Sequence, residues 1–121
     1  IARGFAGDIP HLADLIVAGV RHKGFSFIDA MQPCPTFNPE LSYDWYRKRI
    51  YKLETEGYAP DNRFKAWEKA QEPISEKIAL GVFYQEERPT LEDYYSLPQR
   101  KPQAQRSLDK IDINPLFEPY K

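Results

Sequence analysis

Apolar residues recur along the first third of the chain with two different periods. Leu12, Leu15, Ile16 and Val20 stand at helical spacing, behind Asp8 as a helix N-cap and Pro10 in the first turn. Gly24 is the expected stop of that helix. Gly19 lies on the same stripe, where a missing side chain lets a helix approach a sheet closely, at about 1 kcal/mol of propensity relative to alanine. The run Phe25-Ser26-Phe27-Ile28-Asp29-Ala30-Met31 is short, aromatic and apolar, the pattern of a strand, and the residues before Asp8 read as the end of another. Strand, helix and strand at this spacing predict a right-handed crossover with the two strands parallel, so the expected class is α/β. In open parallel sheets cofactors lie beyond the carboxyl ends of the strands, and Cys34 follows the second strand by three residues.

Further along, Ser42 or Asn38 can cap a helix whose face carries Tyr43, Tyr46, Ile50 and Leu53 and which ends near Gly57. Its other side holds Arg47, Lys48, Arg49 and Lys52, a solvated face or a docking face for an acidic electron acceptor. Tyr43, Trp45 and Tyr46 read as packing aromatics rather than a stacking platform. Residues 61–72, with Phe64 and Trp67 three apart, predict a second short amphipathic helix closed by Pro73. Ile78 to Tyr84 is apolar and β-favouring and is expected as a third strand at an edge of the same sheet. The neighbouring carboxylates Glu86 and Glu87 would point to opposite faces of a strand, which argues against a shared acid–base site. Arg88, Pro89 and Thr90 begin a helical turn through Tyr94. From Ser96 the composition turns to Pro, Gln, Arg and Lys, so an extended tail is expected, disordered or laid over a partner by Ile111, Ile113, Leu116 and Phe117. The expected divisions are 1–37, 38–95 and 96–121.

Composition narrows the setting. Hydrophobic residues make up 41% of 121 and prolines number 11, thin material for a closed core, so a partner surface is expected. Seventeen basic against 18 acidic residues give no field that would favour nucleic acid. No apolar run is long enough for a bilayer, and one cysteine cannot pair within the chain; the expected setting is a reducing cytoplasm, with no membrane. The chain opens on Ile1 in the middle of what reads as a strand, which suggests the second part of a longer polypeptide, or one of two chains of a split subunit.

Cys34 is the residue with chemistry to offer. It lies in Pro33-Cys34-Pro35-Thr36-Phe37-Asn38, where two prolines remove backbone donors and hold the path extended. Three roles are open to it. It can be a small buried hydrophobe. It can be a nucleophile, which would need a base, and neither His11 nor His22 is placed by a motif. It can be one ligand of a metal or cluster whose other ligands lie elsewhere.

The segments Ala2-Arg3-Gly4-Phe5-Ala6-Gly7-Asp8, His22-Lys23-Gly24-Phe25-Ser26-Phe27-Ile28-Asp29 and Pro33-Cys34-Pro35-Thr36-Phe37-Asn38 together resemble the C-terminal part of the β subunit of 2-oxoacid:ferredoxin oxidoreductases. The likeness continues through Tyr43-Asp44-Trp45-Tyr46, Lys52-Leu53-Glu54 and Gly81-Val82-Phe83-Tyr84-Gln85-Glu86-Glu87-Arg88-Pro89-Thr90. The resemblance implies the end of a thiamine-diphosphate-binding, Rossmann-like domain and an enzyme that oxidatively decarboxylates a 2-oxoacid with coenzyme A and passes electrons to ferredoxin. It implies Cys34 as the fourth, sequence-distant ligand of a 4Fe-4S cluster. Thr36 and Asn38 would then bond cluster sulfurs or cap the next helix. The family's cysteine pair, its further cysteine and its Gly-Asp-Gly segment with the asparagine for magnesium and thiamine diphosphate are not in this chain. Those contacts are expected in the remainder of the β subunit, and no catalytic residue is assigned here. The α (or α and γ) subunit and ferredoxin are the implied partners. Phe37-Asn38 resembles the 2-oxoglutarate or broad 2-oxoacid branch more than the pyruvate branch, which tends to carry Gly-Trp there. A non-catalytic assembly module with Cys34 inert is the alternative.

Overall fold

Ala2–Phe5 forms a strand (β1) and Ile28–Met31 a second (β2), joined by the helix Ile9–Arg21 (α1). The structure is a computed structural model, and it describes residues 1–94, 112 and 114–120. They fall into two units, Ile1–Arg88 and Pro89–Lys121, each described by itself. As the spacing predicts, β1 and β2 are parallel, with Ala2 opposite Ile28 and Phe5 opposite Met31. The Asp8 carboxylate accepts from the His11 backbone N–H at 3.3 Å and so caps α1. Gly19 serves as expected: a Cβ there would stand 3.0 Å from Ile28 Cδ1. The strand expected from Phe25 is shorter, because β1 opens at Ala2, whose N–H reaches Phe27 O, and offers no partner for residues before that.

The helical stripe needs correction. Leu12, Leu15 and Gly19 are the positions turned to the sheet, whereas Ile16 is exposed and Val20 is 81% exposed. With Ile9 and Val17 these two form a second apolar face that is exposed among the described residues.

A larger correction concerns residues 43–57, expected as one helix. Helix α2 covers only Tyr43–Arg47, a strand follows at Ile50–Lys52 (β3), and Leu53–Glu56 is a single 3₁₀ turn ended by Gly57 at φ 67°. The helix stops where the Arg49 N–H turns back to Tyr46 O and the Arg49 side chain donates to Trp45 O and Ser75 O. Ile50, Tyr51 and Lys52 then gain a ladder of backbone bonds with Ile78, Ala79 and Leu80. Tyr46 and Ile50 still meet in one core cluster, so their spacing marks a shared destination rather than a shared helix.

Ile78–Val82 (β4) is not an edge strand. The sheet order is β2-β1-β4-β3, with β4 antiparallel to β1 and parallel to β3. Ile78, Ala79, Leu80 and Gly81 are all buried, and a strand buried without alternation needs a neighbour at each edge and cover on each face. Its alternation feeds two clusters. Ile78 and Leu80 join Phe5 and Tyr46, with Met31, Leu41, Trp45 and Ile50 around them. Ala79 joins Leu53, Ala66 and Phe83, with Tyr51, Tyr58 and Tyr84 around them.

Helix α3, Arg63–Ala70, is capped by Asn62, whose side-chain oxygen accepts from the N–H groups of Phe64 and Lys65. The expected aromatic core face is turned outward instead: Phe64 is 81% and Trp67 69% exposed, and Ala66 is the residue that packs. Ala66 meets Leu53, Ala79 and Phe83 in the second cluster.

In the second unit Thr90 and Asp93 cap one another at the short helix Leu91–Tyr94 (α4), through Thr90 N–H and Oγ1 donating to Asp93 Oδ2 at 2.8 and 3.0 Å. The tail expected to be extended holds 3₁₀ turns at Asn114–Leu116 and Glu118–Tyr120. Residues 96–111 and Ile113 lie outside the described residues.

One polar network ties α3 to β3 and to the approach of β4. The Tyr51 hydroxyl donates to Glu72, the Lys69 ammonium donates to both Tyr51 and Glu72, and Lys77 pairs with Glu72 at 3.2 Å. Burial pushes the Glu72 carboxyl up, but the Tyr51, Lys69 and Lys77 bonds outweigh it and hold the group below the usual range. A depressed carboxyl contributes stability above its unfolded value, and that contribution is lost as pH falls through the folded one. Glu72→Gln is expected to cost about 1.5–3 kcal/mol at neutral pH. Urea unfolding of both proteins should show the gap narrowing below about pH 4.

Candidate functional site

Phe5 and Met31 end β1 and β2 in register, so the segments that follow leave the same end of the sheet side by side. The Ala6 N–H donates to Met31 O at 2.8 Å and extends that pairing past the strands. From β1 the chain passes through Gly7 and Asp8 into α1; from β2 it passes through Gln32 and Pro33 to Cys34. The sequence-predicted residue therefore stands at the carboxyl end of the parallel pair, where α/β sheets present ligand-bearing loops.

The loop is fixed at both ends. Met31 before it and Leu41 after it pack against the cluster of Phe5, Tyr46, Ile78 and Leu80. Between these anchors the Asn38 N–H donates to Cys34 O at 2.8 Å, and the Leu41 N–H to Asn38 O at 3.1 Å. Ser42, not Asn38, caps α2, accepting from the Trp45 N–H at 3.2 Å. Cys34 itself is half-buried and its thiol is free.

The neighbouring turn depends on Gly7. A Cβ at that position would fall 2.3 Å from the ring of the fully buried Phe5 and 3.0 Å from Tyr43. Tyr43 in turn stacks on Phe5 with ring centroids 5.8 Å apart, which draws the start of α2 over the end of β1. Next to Gly7, Asp8 both caps α1 and pairs with Lys52 at 2.8 Å. The Lys52 bond is the main reason its carboxyl lies below the usual range, with the His11 N–H bond adding to it. The cap is legible in the sequence and the pair is not, because the helical spacing around Lys52 hides its place on β3.

The other candidates are used structurally. Arg47 pairs with Asp44 at 3.1 Å, and Arg49 stacks on the Trp45 ring at 4.1 Å. With Lys52 on Asp8, three of the four side chains read as a basic face are engaged inside the chain. Glu86 accepts from the Tyr84 hydroxyl and pairs with Arg88 and Arg63, so it belongs to a surface ion-pair set. His22 is the C-cap residue of α1, and His11 faces Glu54 at 3.5 Å. Among the described residues no three His, Cys, Asp or Glu side chains gather to hold a metal. A soft thiol on a half-buried loop anchored at both ends suits a single ligand position in an iron–sulfur cluster. No helix among the described residues is long and apolar enough to cross a membrane.

These features define a parallel-dominated α/β sheet carrying a rigid cysteine loop beyond its carboxyl ends. Residues 34–99 match the family described as pyruvate ferredoxin oxidoreductase β subunit, C terminal. The chain is 40% identical over 104 residues to the 2-oxoacid:ferredoxin oxidoreductase subunit beta of a Sulfolobus species, covering 72% of this chain and 32% of that one. It is 32% identical over 93 residues to the 2-oxoglutarate synthase subunit KorB of Methanothermobacter marburgensis, covering 77% of this chain and 32% of the relative. Among solved structures it is similar to 2-oxoglutarate:ferredoxin oxidoreductase from Magnetococcus marinus, determined with 2-oxoglutarate, coenzyme A and succinyl-CoA bound. That likeness has a TM-score of 0.74 and 27% identity, and covers 99% of this chain and 40% of the other. The chain belongs to the β-subunit family of 2-oxoacid:ferredoxin oxidoreductases, and it spans about a third of the length of the curated relatives it matches.

Gly7→Ala is expected to force apart Phe5 and Tyr43 and to cost about 1–3 kcal/mol. Thermal unfolding would read this as a lower midpoint, and an unchanged midpoint would mean that the turn has room the geometry denies.

Proposed function

We propose that this chain is the C-terminal part of the β subunit of a 2-oxoacid:ferredoxin oxidoreductase, with Cys34 as one thiolate ligand of a 4Fe-4S cluster. The observation that carries the reading is the position of Cys34: a free, half-buried thiol on a loop anchored by Met31 and Leu41 at the carboxyl end of the parallel strands. The reaction is the oxidative decarboxylation of a 2-oxoacid. The carboxyl group leaves as carbon dioxide, the acyl carbon forms a thioester with the coenzyme A sulfur, the thiol proton is released, and two ferredoxins each take one electron. The substrate favoured is 2-oxoglutarate, supported by Phe37-Asn38 and by the likeness to KorB and to the Magnetococcus marinus enzyme.

When bound, the cluster would supply one-electron transfer between the oxidised acid and ferredoxin. This chain's part is to hold the thiolate. Pro33 and Pro35 restrict the backbone on each side of Cys34, and the Asn38 N–H fixes its carbonyl. Half-burial limits water at the sulfur, one of the factors that set a cluster's potential. Thiamine diphosphate and its magnesium belong to the rest of the β subunit in this reading, which also needs an α (or α and γ) subunit and places the complex in the cytoplasm.

Iron and acid-labile sulfide, counted per αβ unit in complexes purified without oxygen, test this reading directly. Cys34→Ala is expected to lose most of one cluster's iron and sulfide and to abolish reduction of ferredoxin by 2-oxoglutarate and coenzyme A. Equal iron and equal sulfide in both complexes would remove the ligand role and leave Cys34 as packing.

A further inference from the structure

His11 is the one histidine that the fold buries without using. Both of its ring nitrogens are closed to water and neither makes a hydrogen bond. Its side chain is 11% exposed, and Nε2 stands 3.5 Å from Glu54 Oε1, within reach of an ion pair but not of an aligned hydrogen bond. Glu54 is half exposed and comes from the 3₁₀ turn after β3. Its carboxylate lies against β4 at Gly81, where a Cβ would be 2.6 and 2.9 Å from its two oxygens. Gly81 also has φ 122°, so a glycine both allows the backbone and leaves the space.

The charged neighbours are few. Just before α1, Asp8 caps the helix, pairs with Lys52 of β3 and lies near enough to His11 to interact with it, and Asp14 is exposed three residues along α1. On β1, Arg3 pairs with Asp29 of β2 at 2.9 Å and stacks on Phe83. β4 carries no titratable side chain. Glu54 is therefore the acceptor facing His11 that no pairing within its own turn has claimed.

We propose that His11 and Glu54 form a pH-dependent latch between the first turn of α1 and the 3₁₀ turn Leu53–Glu56. A neutral imidazole in this place has one nitrogen without an acceptor and one without a donor. Taking one proton from solvent makes both nitrogens donors and places a cation beside the Glu54 carboxylate. The latch is closed when the imidazole carries the second proton and open when it does not. It adds to the Asp8–Lys52 pair, which joins the same two regions at all pH values where Asp8 is ionised. Leu53 is fully buried and stays in the core either way, so the opening affects Glu54 to Gly57 rather than the sheet. The inference does not depend on whether Cys34 holds iron.

Amide hydrogen exchange read by mass spectrometry on the intact complex tests it, at about pH 5.5 and about pH 8, corrected for intrinsic rates. Amides of residues 54–57 are expected to be about three- to tenfold more protected at the lower pH in the unaltered protein. In His11→Gln and in Glu54→Gln the protection should be the same at both. Equal protection at both pH values in the unaltered protein would overturn the proposal. So would pH dependence that survives Glu54→Gln or His11→Gln.

Discussion

The burial of β4 on both faces is the constraint from which the rest of the first unit follows. Ile78, Ala79 and Leu80 are almost wholly inaccessible, and each side of the strand needs its own cover. β1 and β3 supply the two edges, Phe5 and Tyr46 one cluster, and Leu53, Ala66 and Phe83 the other. A polar substitution in this strand would strand its group between two apolar clusters, with no water to satisfy it. The strand also joins what the sequence keeps apart, since the β1–α1–β2 crossover and the α2–β3 region meet through it, through the Asp8–Lys52 pair and through the contacts of Phe5 with Tyr43 and Tyr46.

The crossover was legible because its signals are local. Asp8 caps, Pro10 starts and the apolar spacing runs the helix, and Phe25 to Met31 has the residues of a strand. What failed was what depends on partners far along the chain. Tyr46, Ile50 and Leu53 fit a helical period, but Ile50 to Lys52 leave it because a ladder with Ile78 to Leu80 is available. Phe64 and Trp67 have the spacing of a core face, but Ala66 is the residue of α3 that packs, against Leu53, Ala79 and Phe83 far along the chain from it. The position of Cys34 was readable from the order of elements alone, whereas the Asp8–Lys52 and His11–Glu54 contacts were not, because both cross between α1 and the chain around β3.

The expectation of thin core material finds a location in α1. Its inner side rests on β1 and β2, while Ile9, Ile16, Val17 and Val20 line an outer side exposed among the described residues. Contiguous apolar surface of this kind marks a contact surface in folded proteins. The sequence pattern could not separate the two sides, since both are apolar and only the sheet decides which is inner.

The matched family region begins at Cys34 itself and includes α2, β3, α3 and β4. That region is no appendage to the crossover, because its last strand pairs with β1 in the middle of the sheet. The loop that starts the region is thus held by elements from both directions: Met31 from the strand before it, and Leu41, Tyr43 and Tyr46 from the chain after it, all converging on Phe5 or its cluster. A ligand on a loop with a free end would have to be ordered each time a cluster is bound. In the ligand role proposed for Cys34 that ordering would fall to the core, which already holds both ends of the loop.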